Sequence, residues 1–284
     1  MGKHQWTEEK IKRWTAEKRG MGTGASYRPW IEVKDVSSLG RSRRVWSPKT
    51  GRVHHLLSDI EHDIFLAAEW SSNVRDIREQ YPLDREVTQS IAHELQIAHP
   101  TYPGTHVATV MTVDFMLTVS TAQDANTLIA INAKADDEAE DPRSIEKLEI
   151  QRTYFERIEI DHHLVYRSNI PKAIVNNLVW IRDSGLTEGQ VEERAGVYES
   201  LKDAMLDELS QLRPAVGSMS LAEYCAQFDD AHGQCRGAGL RVARMLLQAR
   251  MLSTDLNASV LAREPVTNFS PSLPVRSHIV ARKA

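Results

Sequence analysis

A chain of 284 residues, 41% hydrophobic and 26% charged, is long enough for a substantial core and for two domains. Its formal net charge of −4 excludes a surface built as a whole to condense on nucleic acid, so contacts with phosphate must come from local patches. No run approaches the ~18 apolar residues of a membrane span, and no apolar segment follows the N-terminal lysines, so a soluble cytoplasmic protein is expected.

Residues 7–18 (TEEKIKRWTAEK) predict a solvated helix with a thin apolar stripe of Ile11, Trp14 and Ala16, ended by GMGTG. Such an arm is expected to be mobile without a partner. Residues 36–57 contain no acid, while Arg41, Arg43, Arg44, Lys49 and Arg52 are spread among Ser, Gly and Pro together with Trp46. The run reads either as a solvated loop or as a phosphate-contacting segment. Ser58 then opens a helix with Ile60, Ile64, Phe65 and Ala68 on one side. Ser58-Asp59-Ile60-Glu61 is a capping-box pattern, which gives Glu61 a structural role beside any chemical one. His54, His55 and His62 lie nearby, but neighbouring histidines diverge on any regular element, which argues against zinc. Residues 74–81 (VRDIREQY) predict a strand with Val74, Asp76 and Arg78 on one face. Val87, Ile91 and Leu95 stand at helical spacing in a short segment that stops before His99-Pro100.

Two neighbouring runs follow. In 110–119 (VMTVDFMLTV) Met111, Val113, Phe115, Leu117 and Val119 alternate with Thr112, Asp114, Met116 and Thr118, the period of a strand with one buried face. In 128–134 (LIAINAK) Asn132 and Lys134 are two residues apart and share a face. Paired as a hairpin across 120–127, the runs would put Asp114, Asn132 and Lys134 on one polar face. The acidic ADDEAEDP reads as flexible, and Pro142 opens a helix in which Ile145, Leu148, Phe155 and Ile158 recur at helical spacing. Asp161 to Tyr166 (DHHLVY) predicts one more strand. Asp161-His162-His163 invites comparison with a phosphoesterase signature, but the upstream Asp motifs that signature needs are absent. From Ser58 the order is helix, three strands, helix, strand, with a helical insertion before Asp114.

Beyond Ser168 the chain turns mostly helical, so the domains are set at 1–168 and 169–284. Helices are expected over 171–181 and 188–212, with a break at Pro214 and Gly217. LAEYCAQFDDAHG and CRGAGLRVARMLLQARML follow, the second carrying Arg236, Arg241, Arg244 and Arg250 without an acid. Two helices, a short glycine-containing turn and an irregular tail suit a winged-helix module, whose arginine-bearing helix is either solvated surface or a contact for DNA or protein. Cys225 and Cys235, without a C-x-x-C or a histidine at ligand spacing, read as reduced thiols.

The polar face and Glu61 suggest phosphodiester hydrolysis. That reaction needs charge stabilisation at the phosphoryl oxygens and a water made nucleophilic near neutral pH, and a divalent cation supplies both. Mg²⁺ prefers oxygen ligands from one or two carboxylates. Glu61 and Asp114 could furnish these, with Asn132 and the backbone carbonyl of Ala133 as neutral oxygens. Lys134 would orient the attacking water, offset charge in the transition state, or accept a proton. Taken singly, Asp114 as a strand-end acceptor, Asn132 as a turn amide and Lys134 as a solvated strand end are each sufficient readings. Their shared face and order favour the site.

The stretches GRSRRVWSPKTGRVHHLLSDIE, EWSSNVRDIREQYPL, the MTVDF run, INAK and RSIEKLEIQRTYF resemble the TnsA family, the endonuclease subunit of heteromeric cut-and-paste transposases. The resemblance covers most of the first 170 residues and continues more weakly, in helical outline, beyond them. It implies an α/β, restriction-endonuclease-like core followed by a mostly helical, winged-helix-like domain. It implies that Glu61, Asp114 and Lys134 match the family's acidic pair and lysine, with Mg²⁺ as cofactor and Mn²⁺ able to replace it. Asn132 departs from the Gln of the best-known member and the Glu or Asp of related nucleases. The implied activity is cleavage of the 5′-ends of a transposon, beside a DDE-type transposase, TnsB, that cuts and joins the 3′-ends. The ATP-dependent regulator TnsC would be engaged by the C-terminal region. Two other readings stand beside this one: a DNA-binding assembly subunit with a decayed nuclease core, suggested by Asn132 and the near-neutral charge, and a stand-alone nuclease on the same fold.

Overall fold

The computed structural model describes residues 6–36, 41–121, 126–182, 184, 196–212 and 219–272. They fall into two compact units, one running through Ile170 and one beginning at Pro171.

In the first unit Thr7 caps α1 (Glu8–Ala16), its hydroxyl accepting from Lys10 N at 3.2 Å. This helix is docked, against the expectation of a mobile arm. The apolar stripe is narrow by residue count, but its aromatic members bury large areas. Ile11 and Trp14 are buried with Trp30, Tyr102 and Val110, and Trp6 stacks on Tyr102 at 3.8 Å. Glu8 accepts twice from Arg85, at 2.5 and 2.7 Å. After α1 the chain turns through Gly20 at φ +75°, where a Cβ would lie 2.1 Å from the Pro82 ring, so glycine is required for fit as well as for conformation.

The acid-free run is not a loop. It folds as an antiparallel hairpin of β1 (Arg43–Ser47) and β2 (Arg52–Leu56), with Trp46 opposite Val53. There follow α2 (Asp59–Trp70), β3 (Val74–Pro82), α3 (Arg85–Glu94), β4 (Thr112–Val119), β5 (Thr127–Lys134), α4 (Pro142–Arg157) and β6 (Asp161–Tyr166). The order is that expected from the sequence, with α3 as the insertion before Asp114. The sheet runs β3-β4-β5-β6, antiparallel up to β5 and parallel between β5 and β6, where α4 forms the crossover that a parallel pair needs.

The central sheet differs from the expected one-sided strand. Met116 and Ala130 are buried with Ile91, Ile150 and Phe155, while Phe115 and Leu117 are buried as well. With both faces of the β4–β5 pair covered, its polar side is confined to the strand end that carries Asp114, Asn132 and Lys134. β3 is likewise buried through Asp76, Ile77, Arg78, Glu79 and Gln80, with a bulge between Val74 and Asp76.

The second unit holds α5 (Lys172–Arg182), α6 (Val197–Gln211), α7 (Leu221–Ala231) and α8 (Ala238–Gln248), then the short antiparallel pair β7 (Leu252–Ser253) and β8 (Ser270–Pro271). Of the helix expected over 188–212, the described part begins at Val197; residues 188–195 and the break at 214–217 lie outside the described residues. Asp229 of α7 caps α8 by accepting from Gly237 N at 2.7 Å and Gly239 N at 2.6 Å. A Cβ on Gly239 would lie 2.8 Å from the Cys225 carbonyl, so the glycine lets α7 and α8 approach closely. Met205, Leu221, Phe228, Val242 and Leu246 are all buried in this unit. Cys225 and Cys235 are free thiols, and burial pushes Cys225 up to about 12. No described helix is long and apolar enough to cross a membrane.

Candidate active site

Asp114 lies near the start of β4, between strands β3 and β5, and both sides hold it. Its Oδ2 accepts from Ala133 N at 2.7 Å and its Oδ1 from Gln80 Nε2 at 3.2 Å. The Asn132 amide hydrogen-bonds the same carboxylate, and the Lys134 ammonium favours its charged form. Glu61 comes from the first turn of α2. Its backbone N donates to Ser58 Oγ at 3.1 Å, while its carboxylate accepts from the Ser58 hydroxyl at 3.0 Å and from Leu57 N at 2.9 Å. The capping reading of Glu61 therefore holds in a form shifted by one residue, since the backbone donor is Leu57 and not Ser58. The cap also aims the chemistry: Glu61 Oε2 lies 3.5 Å from the Gln80 Nε2 that reaches Asp114.

The two carboxyls are electrostatically strained. Burial and the facing charge of Asp114 push Glu61 well above the ordinary carboxylate range. Burial also raises Asp114, against the opposing influences of Ala133 N–H and Lys134. Two acids that resist ionising together and face mostly neutral donors suit a hard divalent cation, which would relieve both the burial and the repulsion. Among the described residues no group of three or more His, Cys, Asp or Glu is arranged to hold a metal. A two-carboxylate site completed by neutral oxygens, water and substrate phosphate fits the residues present.

A cavity of 360 Å³ opens on this strand end, lined by Asp114, Asn132 and Lys134 from the sheet and by Ser144, Lys147 and Gln151 from α4. Glu61 does not line it; it reaches the site from behind through Gln80. Asn132 is oriented differently from the expected ligand. Its Oδ1 lies 2.6 Å from His162 Nε2, and burial and the neighbouring His163 lower His162 to about 4, so the ring is neutral and Nε2 is the donor. The amide oxygen is thus engaged by His162. For Ala133, the group seen at the carboxylate is its N–H.

Sequence reasoning missed Gln80, Lys147 and Gln151, and it set His162 aside with the phosphoesterase comparison. For α4 a signal existed: Ser144, Lys147 and Gln151 recur at steps of three and four, a polar face on an otherwise amphipathic helix. Gln151 Nε2 donates to the Thr112 carbonyl at 2.9 Å, tying α4 to the strand start beside Asp114.

The basic run divides. Arg52 is buried, donating to Glu79 at 2.5 and 2.8 Å and to the Ile77 carbonyl at 2.7 Å. Lys49 donates to the carbonyls of Ala68, Ser71 and Val74, closing the C-terminus of α2. Arg43 pairs with Asp59 at 2.6 Å and donates to His62 Nδ1 at 3.1 Å. These three serve the fold, because the acids that the run itself lacks, and the carbonyls that Lys49 and Arg52 reach, are supplied by α2, β3 and the turn between them. Arg41 and Arg44 are exposed, as is Trp46 on the outer face of the hairpin. The histidines are likewise occupied in the fold: His54 lies 2.8 Å from Glu79 Oε2 and His55 Nδ1 accepts from Val33 N at 3.2 Å. In α8, Arg244 donates to the Trp180 carbonyl at 2.7 Å and Arg241 to Tyr198 Oη at 3.3 Å, and Arg236, ahead of the helix, pairs with Asp230 at 2.9 Å.

The strained acid pair has a consequence for stability. A carboxyl whose pKa is raised on folding contributes stability below its unfolded pKa, and that contribution is lost as pH rises through the folded value. Asp114→Asn mimics the neutral form and removes the repulsion on Glu61. In EDTA at pH 8 the variant is expected to melt roughly 3–6 °C above the wild type. The gap should close as pH falls toward 4, which differential scanning fluorimetry across pH would read.

Similarity to known proteins follows the same layout. The TnsA-like endonuclease N-terminal family matches residues 71–167, and the TnsA endonuclease C-terminal family matches residues 169–256. The chain is 36% identical over 259 residues to the Transposon Tn7 transposition protein TnsA of Escherichia coli, covering 91% of this chain and 90% of that one. Both family domains match in order, and the relative at this identity spans most of both chains: the chain belongs to the TnsA endonuclease family.

Proposed function

We propose that this protein is a Mg²⁺-dependent DNA endonuclease that cuts the 5′-strands at transposon ends inside a heteromeric transposase, with Mn²⁺ able to replace Mg²⁺. The observation that carries this reading is the approach of Glu61 and Asp114, bridged by the Gln80 amide and both resisting ionisation, with Asp114 and Lys134 lining one open cavity. Glu61 and Asp114 would hold the cation, with Asn132 and the Ala133 carbonyl as neutral oxygens. When bound, the cation supplies charge neutralisation at the phosphoryl oxygens and a water acidic enough to attack.

The chain's own residues do the rest. Asp114 is fixed by the Ala133 N–H and Gln80, so it meets a cation without reorganising. Lys134 and Lys147 line the same cavity and offset phosphate charge, and Lys134 orients the attacking water beside Asp114. Asn132 offers its oxygen once its bond to His162 is released. The exposed Arg41, Arg44 and Trp46 of the hairpin region supply a DNA-contacting edge.

The relative is by name a transposition protein, which sets the proposed substrate as transposon ends and the proposed partners as a DDE-type transposase, TnsB, and an ATP-dependent regulator, TnsC. The second unit, α7 and α8 followed by the short β7–β8 pair, is read as winged-helix-like and as the TnsC-facing part. A second reading, an assembly subunit without catalysis, is favoured by one observation: the neutral Asn132 has its oxygen held by His162. Strand-resolved mapping of breaks on a labelled transposon end, with the co-encoded DDE transposase present, separates the two. Breaks on the 5′-strand in Mg²⁺ that vanish in EDTA are expected. Breaks on the 3′-strand alone, with assembly still dependent on this chain, would make it the assembly subunit.

A further inference from the structure

Among the described residues, five non-glycines have positive φ: Lys18, Gln80, Gln96, Glu159 and Arg250. Lys18, Gln96, Glu159 and Arg250 each follow directly on a helix C-cap, where a left-handed residue ends a helix. Gln80 stands apart. At φ +47° it lies inside β3, where extended backbone is the rule and a side chain disfavours the left-handed region. Its surroundings hold it there. Tyr27 Oη donates to the Glu79 carbonyl at 2.9 Å and Trp30 N to the Gln80 carbonyl at 3.2 Å, so two successive carbonyls are gripped by the segment that follows α1.

The side chain of Gln80 is buried and its amide has one orientation. Oε1 accepts the Thr112 hydroxyl at 3.0 Å, which leaves the NH₂ group to face the acids, 3.2 Å from Asp114 Oδ1 and 3.5 Å from Glu61 Oε2. The strand register brackets it opposite Asp114, since Glu79 pairs with Phe115 and Tyr81 with Val113. A neutral double donor between two repelling carboxyls draws them together without neutralising them. Backbone strain of this kind persists where the surroundings over-determine it, and such places are commonly functional.

We infer that Gln80 is a positioning residue that holds Glu61 and Asp114 convergent on a divalent cation, and that its left-handed backbone is fixed by Tyr27 and Trp30 for that purpose. The inference rests on the metal-nuclease reading above. It is tested on the full chain by Mn²⁺ titration followed by electron paramagnetic resonance, comparing wild type, Asp114→Asn, Gln80→Gly and Gln80→Met. Gln80→Gly accepts positive φ without strain, which offsets part of the lost packing and hydrogen bonding, so it is expected to remain folded while its Mn²⁺ affinity falls at least about tenfold, the scale of losing a residue that orients metal ligands. Gln80→Met keeps bulk without the donor and is expected to lose affinity similarly. Wild-type affinity in both Gln80 variants, with binding lost in Asp114→Asn, would overturn the inference and leave the nuclease reading standing. Failure of both Gln80 variants to fold would overturn it too, by making the residue a structural one. Absence of Mn²⁺ binding to the wild type would remove both readings.

Discussion

Asp114→Ala and Lys134→Ala are each expected to abolish cleavage at transposon ends, by roughly 10³-fold or more, without unfolding the protein. Loss of Asp114 removes the carboxylate proposed to anchor the cation, and cation stabilisation of the transition state is worth several kcal/mol, each ~1.4 kcal/mol being tenfold in rate. The fold should survive because two costs nearly cancel. The Ala133 N–H and one Gln80 hydrogen lose their acceptor, at about 1–3 kcal/mol for an unsatisfied buried donor, but Glu61 is freed of the charge that strains it. Lys134 sits at the end of β5 in the open cavity, where its removal opens no packed core. Single-turnover cleavage of a labelled end, with melting curves of the same preparations, measures both parts. Cleavage at the wild-type rate by either variant would remove that residue from the chemistry.

The largest stability effect is expected at Glu79→Ala. Glu79 is completely buried and receives Arg52, His54 and the backbone N–H of His55, at distances of 2.5 to 3.0 Å. Removing it leaves the buried Arg52 guanidinium without its counter-charge, and breaking such a pair costs about 3–5 kcal/mol. A drop of roughly 10 °C in melting temperature follows for a unit of this size. Burial opposes ionisation of Glu79, but the bonds from Arg52 and His54 outweigh it and lower the pKa to about 2. A depressed carboxylate stabilises above its unfolded pKa and loses that contribution as pH falls through the folded value. The wild type should therefore lose stability between roughly pH 4.3 and 2, and Glu79→Ala should lack that part of the acid transition. Acid titration of both proteins by circular dichroism would show it.

How much of this was legible in the sequence depended on where each residue's partner lay. The alternation in VMTVDFMLTV and the pair Asn132 and Lys134 located the strands and their polar end, because side-chain direction in a strand is a local property. The capping box located the start of α2 for the same reason. The basic run misled because its compensating groups, Glu79, Asp59 and four carbonyls, come from β3, α2 and the α2–β3 turn, and charge pairing across elements leaves no local trace. The arm at α1 was underestimated because two tryptophans bury more surface than their number suggests. Gln80 left no pattern at all. Neither its backbone conformation nor its place opposite Asp114 follows from a glutamine within VRDIREQYP; both come from the register of β3 on β4 and from the grip of Tyr27 and Trp30.

The proposed function turns on one claim, that Glu61 and Asp114 jointly hold the metal used in DNA cleavage. The most direct measurement is anomalous scattering from crystals of the protein soaked in Mn²⁺ at a concentration that supports cleavage. A single anomalous peak within roughly 2.0–2.3 Å of a carboxylate oxygen of each residue is expected. A peak elsewhere, or none between these two side chains, would contradict it.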